Sequence, residues 1–222
     1  MRTIIIAIVI LSAIVIVQES FGADWRVYTE IGGMNVTEQN ISEGHKSYHL
    51  LGVESLWNTN SWLNLKGDIY GLVRGEPAEE DPEIPCGGAG ADIEAIITAG
   101  FIDPYVGVSY FHVSRGTAPK YSDPSDPEYV PGYEQETDHD IVSARAGLHI
   151  HKGWFYADLG TIIPFYTNTK SGNFGPDLGV GIKWNNWNVA YKFREYRFTD
   201  HHFQGGEAFS FYFSGVELGY TF

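Results

Sequence analysis

The chain has 222 residues and carries 28 Asp and Glu against 14 Lys and Arg, a formal charge of −14. Neutralising nucleic-acid phosphates takes clustered bases, so a twofold acidic excess excludes that class of partner. A content of 14 Tyr, 13 Phe and 6 Trp excludes an acidic disordered chain, which lacks the aromatics to build a core, and the single Cys86 excludes an intramolecular disulfide framework.

From the N-terminus, Arg2 precedes an apolar run from Ile4 to Val17 and then the small-residue stretch Ser20-Phe21-Gly22-Ala23. These are the basic, apolar and cleavage regions of a secretory signal peptide. The run is too short to cross ~30 Å of hydrocarbon as a helix. Cleavage after Gly22 places small residues at both recognition positions, so residues 1–22 are read as the signal peptide and 23–222 as the exported domain. Arg2 and Glu19 leave together, and the mature charge stays at −14.

Beyond Trp25 the pattern is period-2 alternation. Its clearest stretch sets Leu63, Leu65, Gly67, Ile69, Gly71 and Val73 on one face against Asn64, Lys66, Asp68 and Tyr70 on the other. Similar alternation near 25–34, 47–57, 90–101, 105–115, 139–151, 154–166, 176–184, 187–198 and 209–222 predicts ten strands. Tight links with turn chemistry fall at Asn58-Thr59-Asn60-Ser61, Ile102-Asp103-Pro104, His151-Lys152-Gly153 and Asn185-Asn186. Longer links near 35–46, 75–89, 116–138, 167–175 and 199–208 alternate with them. Short and long links on alternating ends, on an exported chain, predict an all-β fold: a transmembrane up-and-down antiparallel barrel in the bacterial outer membrane. The count is ten strands, or eight crossing the membrane if one hairpin lies outside it. Trp25, Trp57, Trp62, Trp154, Trp184 and Trp187 all fall on the short-turn rim, where indoles at a membrane interface would gather, together with Phe222.

The last strand alternates Val216, Leu218, Tyr220 and Phe222 with Glu217, Gly219 and Thr221. It resembles the terminal strand of outer-membrane β-barrel families. The stretch from Tyr191-Lys192-Phe193-Arg194 through Phe198-Thr199-Asp200 to Gly219-Tyr220-Thr221-Phe222 is similar to the closing hairpin of the small OmpA-like and opacity-type surface barrels. That resemblance implies recognition of the final strand by the barrel-insertion machinery, outer-membrane lipid as the surrounding partner, and a monomer. Members of that group usually have eight strands, against ten here.

Strand parity assigns a polar phase to the lumen: Arg26, Glu30, Glu54, Lys66, Asp68, Asp92, Glu94, Arg145, Asp158, Asp177, Lys183, Lys192, Arg194 and Glu217. Small barrels are filled by side chains, and buried charges of both signs are expected to pair. A charge-paired plug is therefore expected, with a narrow channel as the alternative. The net charge concentrates outside, in Glu76, Glu79, Glu80, Asp81 and Glu83 of one loop and in Asp123, Asp126, Glu128, Glu134, Glu136, Asp138 and Asp140 of the next, opposed by Lys120. Solvation is the plain reading of those loops; divalent cations would suit their oxygen ligands.

A structural or surface-interaction role without catalysis is expected, and no cofactor or dedicated metal site is read. The alternative is an outer-membrane enzyme acting on lipid A or peptide. His112 and Ser114 share the outer face of the fifth strand and resemble the His-x-Ser pair of lipid A deacylases, in which the His activates the Ser. Asp138-His139-Asp140 and Asp200-His201-His202 at the external rim resemble the rim acids and histidines of omptin proteases, and also carry zinc-type ligands. His149 and His151 share a face near the opposite rim, where an ordinary wet rim is the plainer reading. Cys86 is expected to be a free thiol.

Overall fold

A computed structural model describes residues 23–38, 41–74, 85–115, 138–167, 171–199 and 208–222. Eleven strands follow in order: β1 (Ala23–Glu38), β2 (Ile41–Asn58), β3 (Leu63–Arg74), β4 (Pro85–Ile97), β5 (Ile102–Arg115), β6 (Asp138–Lys152), β7 (Phe155–Thr167), β8 (Ser171–Asn173), β9 (Gly175–Trp184), β10 (Trp187–Thr199) and β11 (Ala208–Thr221). Each is antiparallel to its neighbour, and β11 pairs with both β10 and β1, so the sheet closes on itself. The short β8 pairs with β10 alongside β9, so the two segments share one position and the barrel has ten staves. Closure gives every stave a partner on both sides, with the short β8 paired to β10.

The strand count matches the period-2 reading, and the boundaries refine it. Residues 35–38 and 41–46, expected to be a long link, continue β1 and β2. The turn expected at Ile102-Asp103-Pro104 lies earlier, at 98–101, and those three residues open β5. The cause is local. The Asp103 carboxylate accepts the Ala99 N–H at 2.8 Å, which folds the chain back before Asp103, and Gly100 sits at φ +114°, a conformation that side chains resist. Residues 167–175, expected to be a link, contain β8. Register shifts at Met34/Val36, Pro85/Gly87 and Val142/Ser143 all lie toward the long-loop end, where bulges re-aim strands at a barrel rim.

The alternation sorts side chains by face. Outward positions leave large apolar groups exposed, among them Ile69 at 70%, Val106, Val108, Leu159, Val180, Val189 and Val216. The short-turn end of this band carries Trp62, Trp154, Trp184 and Trp187, and the long-loop end carries Phe165 and Phe174. Inward positions alternate small with large, as a narrow barrel requires. A Cβ on Gly52 would run into the Tyr28 ring, and one on Gly90 into the Tyr70 ring, so these glycines give two tyrosines room to lie across the lumen.

Candidate functional site

The interior divides into two layers. Toward the short turns lies a network of charges. Arg26 bridges Glu54 at 2.9 Å and Glu217 at 2.8 Å. Arg145, nearly buried on β6, meets Asp92 at 2.6 Å and Glu94 at 2.7 Å on β4, and also pairs with Asp177 on β9. Lys66 pairs with Glu94, and Lys192 holds Asp158 at 2.6 Å. Arg194 reaches across the lumen to Asp92 at 3.8 Å and lies 3.6 Å from Asp177. Most of these bridges join adjacent staves or staves two apart, and Arg194–Asp92 alone among them spans the ring, five staves of ten.

Thirteen of the fourteen residues that parity assigned to the lumen lie on this inner surface. Two of them take a hydroxyl instead of a base: Tyr48 donates to Glu30, and Tyr28 donates to Asp68 at 2.7 Å. Lys183 departs from the expectation. It follows the lumen phase of β9 but lies at that strand's outer end, exposed on the short-turn rim, with no ion pair among the described residues. His149 enters the network instead. It stacks on Tyr105 with centroids 4.4 Å apart, bonds Asp158 through Nδ1 at 2.8 Å and lies 3.4 Å from Glu94. Its neighbour His151 is half exposed and bonds Asp103 at 2.8 Å, so the two histidines serve different partners and share no ligand position. Asn188 and Tyr156 add neutral bonds: the Asn188 amide donates to Glu217 at 3.0 Å and to the Tyr156 hydroxyl at 3.3 Å.

Toward the long loops the lumen turns aromatic. Tyr48, Phe111, Tyr196 and Phe213 are buried with Met34, Ile141 and Ile162. Phe111 on β5 and Phe213 on β11 stand five staves apart in a ring of ten, and their centroids meet at 5.6 Å in an edge-to-face contact. Phe111 stacks on Tyr196 at 5.4 Å, and Tyr48 meets Phe213 edge-on at 5.6 Å. At that level rings from opposite walls are in contact across the lumen. Below them a chamber of about 50 Å³ is lined by the charged network, with a smaller cavity of about 30 Å³ between it and the rings.

On the outer face, β5 and β6 bring together two sequence candidates that had been read separately. His112 and Asp140 are register partners, and His112 Nδ1 lies 2.9 Å from Asp140 Oδ1. The Tyr110 hydroxyl donates to the same oxygen at 2.7 Å. A carboxylate partner keeps the proton on Nδ1 and leaves Nε2 as the free base. Both groups are partly exposed. Ser114 follows two residues along β5, its backbone opposite Asp138; the side chains of Ser114, Asp138, His139 and Cys86 lie outside the described residues. So do Asp200, His201, His202 and the acidic residues of 76–83 and 123–136. Among the described residues, no three His, Cys, Asp or Glu side chains converge as a metal site.

The rim aromatics sit as follows. Trp25 and Trp57 meet edge-on at 6.4 Å, Trp187 packs on Tyr220 at 4.9 Å, and Tyr220 packs on Phe222 at 5.2 Å. The Phe222 N–H donates to the Trp25 carbonyl at 2.8 Å, which seals the first strand to the last. Compared with known proteins, the sequence matches no family model and no curated relative.

Proposed function

We propose that residues 23–222 form a monomeric barrel spanning the bacterial outer membrane, exported by a signal peptide at 1–22, with a closed lumen and a structural or surface-interaction role. The observation that carries this reading is the outer surface. A soluble barrel would keep its outer surface polar, whereas this barrel turns a band of large apolar side chains outward and gathers a network of charges inside. Its exposed apolar band is bounded by Trp62, Trp154, Trp184 and Trp187 at one end and by Phe165 and Phe174 at the other, an arrangement like the aromatic girdles at two lipid interfaces. The reading of a closed lumen is supported by the contact of Phe111 with Phe213 and by the paired charges beneath it.

Fractionation of a Gram-negative cell expressing the full chain tests the proposal. The protein is expected in the outer membrane, shortened by the signal peptide, strand-dominated by far-UV circular dichroism in detergent, and shifted in mobility between unboiled and boiled gel samples. Recovery in the soluble fraction, or substantial helix after removal of residues 1–22, overturns it.

One observation favours a second reading, a lipid-facing hydrolase. Asp140 fixes the His112 ring on the outer face of β5, Ser114 follows two residues along the same strand, and a base oriented by a carboxylate is what activation of a serine toward an ester requires. Mass spectrometry of lipid A from cells with and without the protein tests it. Loss of an ester-linked acyl chain that disappears in His112→Ala and Ser114→Ala supports a hydrolase; unchanged lipid A with wild-type protein removes that substrate.

A further inference from the structure

The ion pairs of the charged layer fall into groups, and one histidine joins two of them. Lys66 and Arg145 share Glu94, and Arg145 and Arg194 share Asp92 and Asp177. Lys192 and Asp158 form a separate pair on β10 and β7. Among the described ion pairs, His149 alone connects that pair to the larger group. Its Nδ1 lies 2.8 Å from Asp158 Oδ1, and its Nε2 lies 3.4 Å from Glu94 Oε2, so one ring on β6 links β7 to β4. The stack on Tyr105 of β5 holds the ring in that plane.

The two ring nitrogens answer differently to a proton. A neutral imidazole carries one N–H and one lone pair, whereas an imidazolium donates from both sides. With the proton of the neutral ring kept on Nδ1 by Asp158, Nε2 would turn its lone pair toward the Glu94 carboxylate, a repulsive contact. Nε2 is buried and has no closer hydrogen-bond partner to relieve it. A second proton makes the same contact attractive. The other groups around the ring do not replace it: Arg145 on the same strand and Lys66 on β3 pair with Glu94, Lys192 on β10 pairs with Asp158, and Asp103, its register partner on β5, bonds His151. The permanent bases therefore keep their own carboxylates whether or not His149 is charged, and the link between β4 and β7 is the part that a proton controls.

We propose that His149 is a proton-operated latch in the barrel interior: protonated, it ties β4 to β7 through Glu94 and Asp158, and neutral, it releases Glu94 and leaves the Lys192–Asp158 pair apart from the larger group. The latch depends on the interior alone and not on where the barrel resides. Nitrogen NMR of the histidine rings in the purified protein in detergent tests it, the His149 ring being identified by its proton contacts with Tyr105. Both ring nitrogens are expected to carry protons at about pH 6 and only Nδ1 at about pH 9. A ring singly protonated at about pH 6 overturns the pairing with Glu94, and one doubly protonated throughout overturns the latch and makes His149 a fixed charge. Thermal unfolding supplies the second readout. Stability from a proton bound in the folded state is present at low pH and lost as pH rises through the folded-state titration. The wild type is therefore expected to lose about 3 °C more than His149→Gln between those two pH values, the shift for one such contact in a chain of this size. His151→Gln, on the half-exposed rim, is expected to keep the wild-type difference. An equal pH dependence in the wild type and His149→Gln overturns the proposal. Should His149→Gln not fold, the ring nitrogens of the wild type decide alone.

Discussion

The two halves of the lumen solve one problem in different ways. Both must fill a narrow ten-stave barrel, yet the half toward the short turns is built of Arg26, Lys66, Arg145, Lys192 and Arg194 threaded among carboxylates, and the half toward the long loops is built of Phe111, Tyr196, Phe213 and Tyr48. The charged half gains cohesion from pairing, and each ion is stable only while its partner stands. The aromatic half gains it from volume, and each ring can be trimmed with a local cost. The first half reaches across the ring through Arg194 and Asp92 and surrounds a chamber; the second reaches across it through the contact of Phe111 with Phe213. A lumen of charges alone would be a candidate channel, and a lumen of rings alone would lose the cross-wall bridge.

The largest effect is expected from Arg145→Ala. It leaves Asp92, Glu94 and Asp177 without their shared guanidinium in the deepest part of the network. Breaking a buried pair costs about 3–5 kcal/mol, and a loss of that size in denaturant unfolding from detergent is expected. A loss below about 1 kcal/mol would show that the charged half is not held by pairing. Next, Phe111→Ala removes the ring that touches both Tyr196 and Phe213, at a cost of about 3 kcal/mol, the lower end for burying a cavity of that kind. A smaller effect is expected from Gly90→Ala, which drives a methyl into the Tyr70 ring at the boundary of the two halves and costs about 1–3 kcal/mol. The smallest belongs to His151→Ala. This half-exposed rim pair with Asp103 is expected to change stability by less than about 1 kcal/mol, in contrast to His149→Ala within the network.

Much of this architecture was legible in the chain, because a barrel obeys a period of two and every residue on a strand must choose a face. The alternation of Leu63 to Val73 read out both the strand and the inward direction of Lys66, Asp68 and Tyr70. What parity cannot supply is depth. Lys183 has the right phase but stands at the end of β9, while His149, dismissed with His151 as rim, stands one level deeper and joins the network. The aromatic layer was missed for a related reason. Tyr48, Phe111, Tyr196 and Phe213 are far apart in sequence, and only the stagger of the strands brings them to one height. The turn at 98–101 was misplaced because Pro104 reads as a turn residue, while the side chain that makes the turn is Asp103, through its bond to Ala99. The pairing of His112 with Asp140 needed the register of β5 against β6, which two separate motifs do not contain.

The central claim, a membrane barrel sealed by its aromatic half, is tested most directly by single-channel recording in a planar bilayer with the wild type and with the double variant Phe111→Ala/Tyr196→Ala. The wild type is expected to add no unitary current steps, while the double variant, inserted by the same route, is expected to give discrete steps through the charged chamber. Unitary steps from the wild type, unchanged in the double variant, would contradict the account.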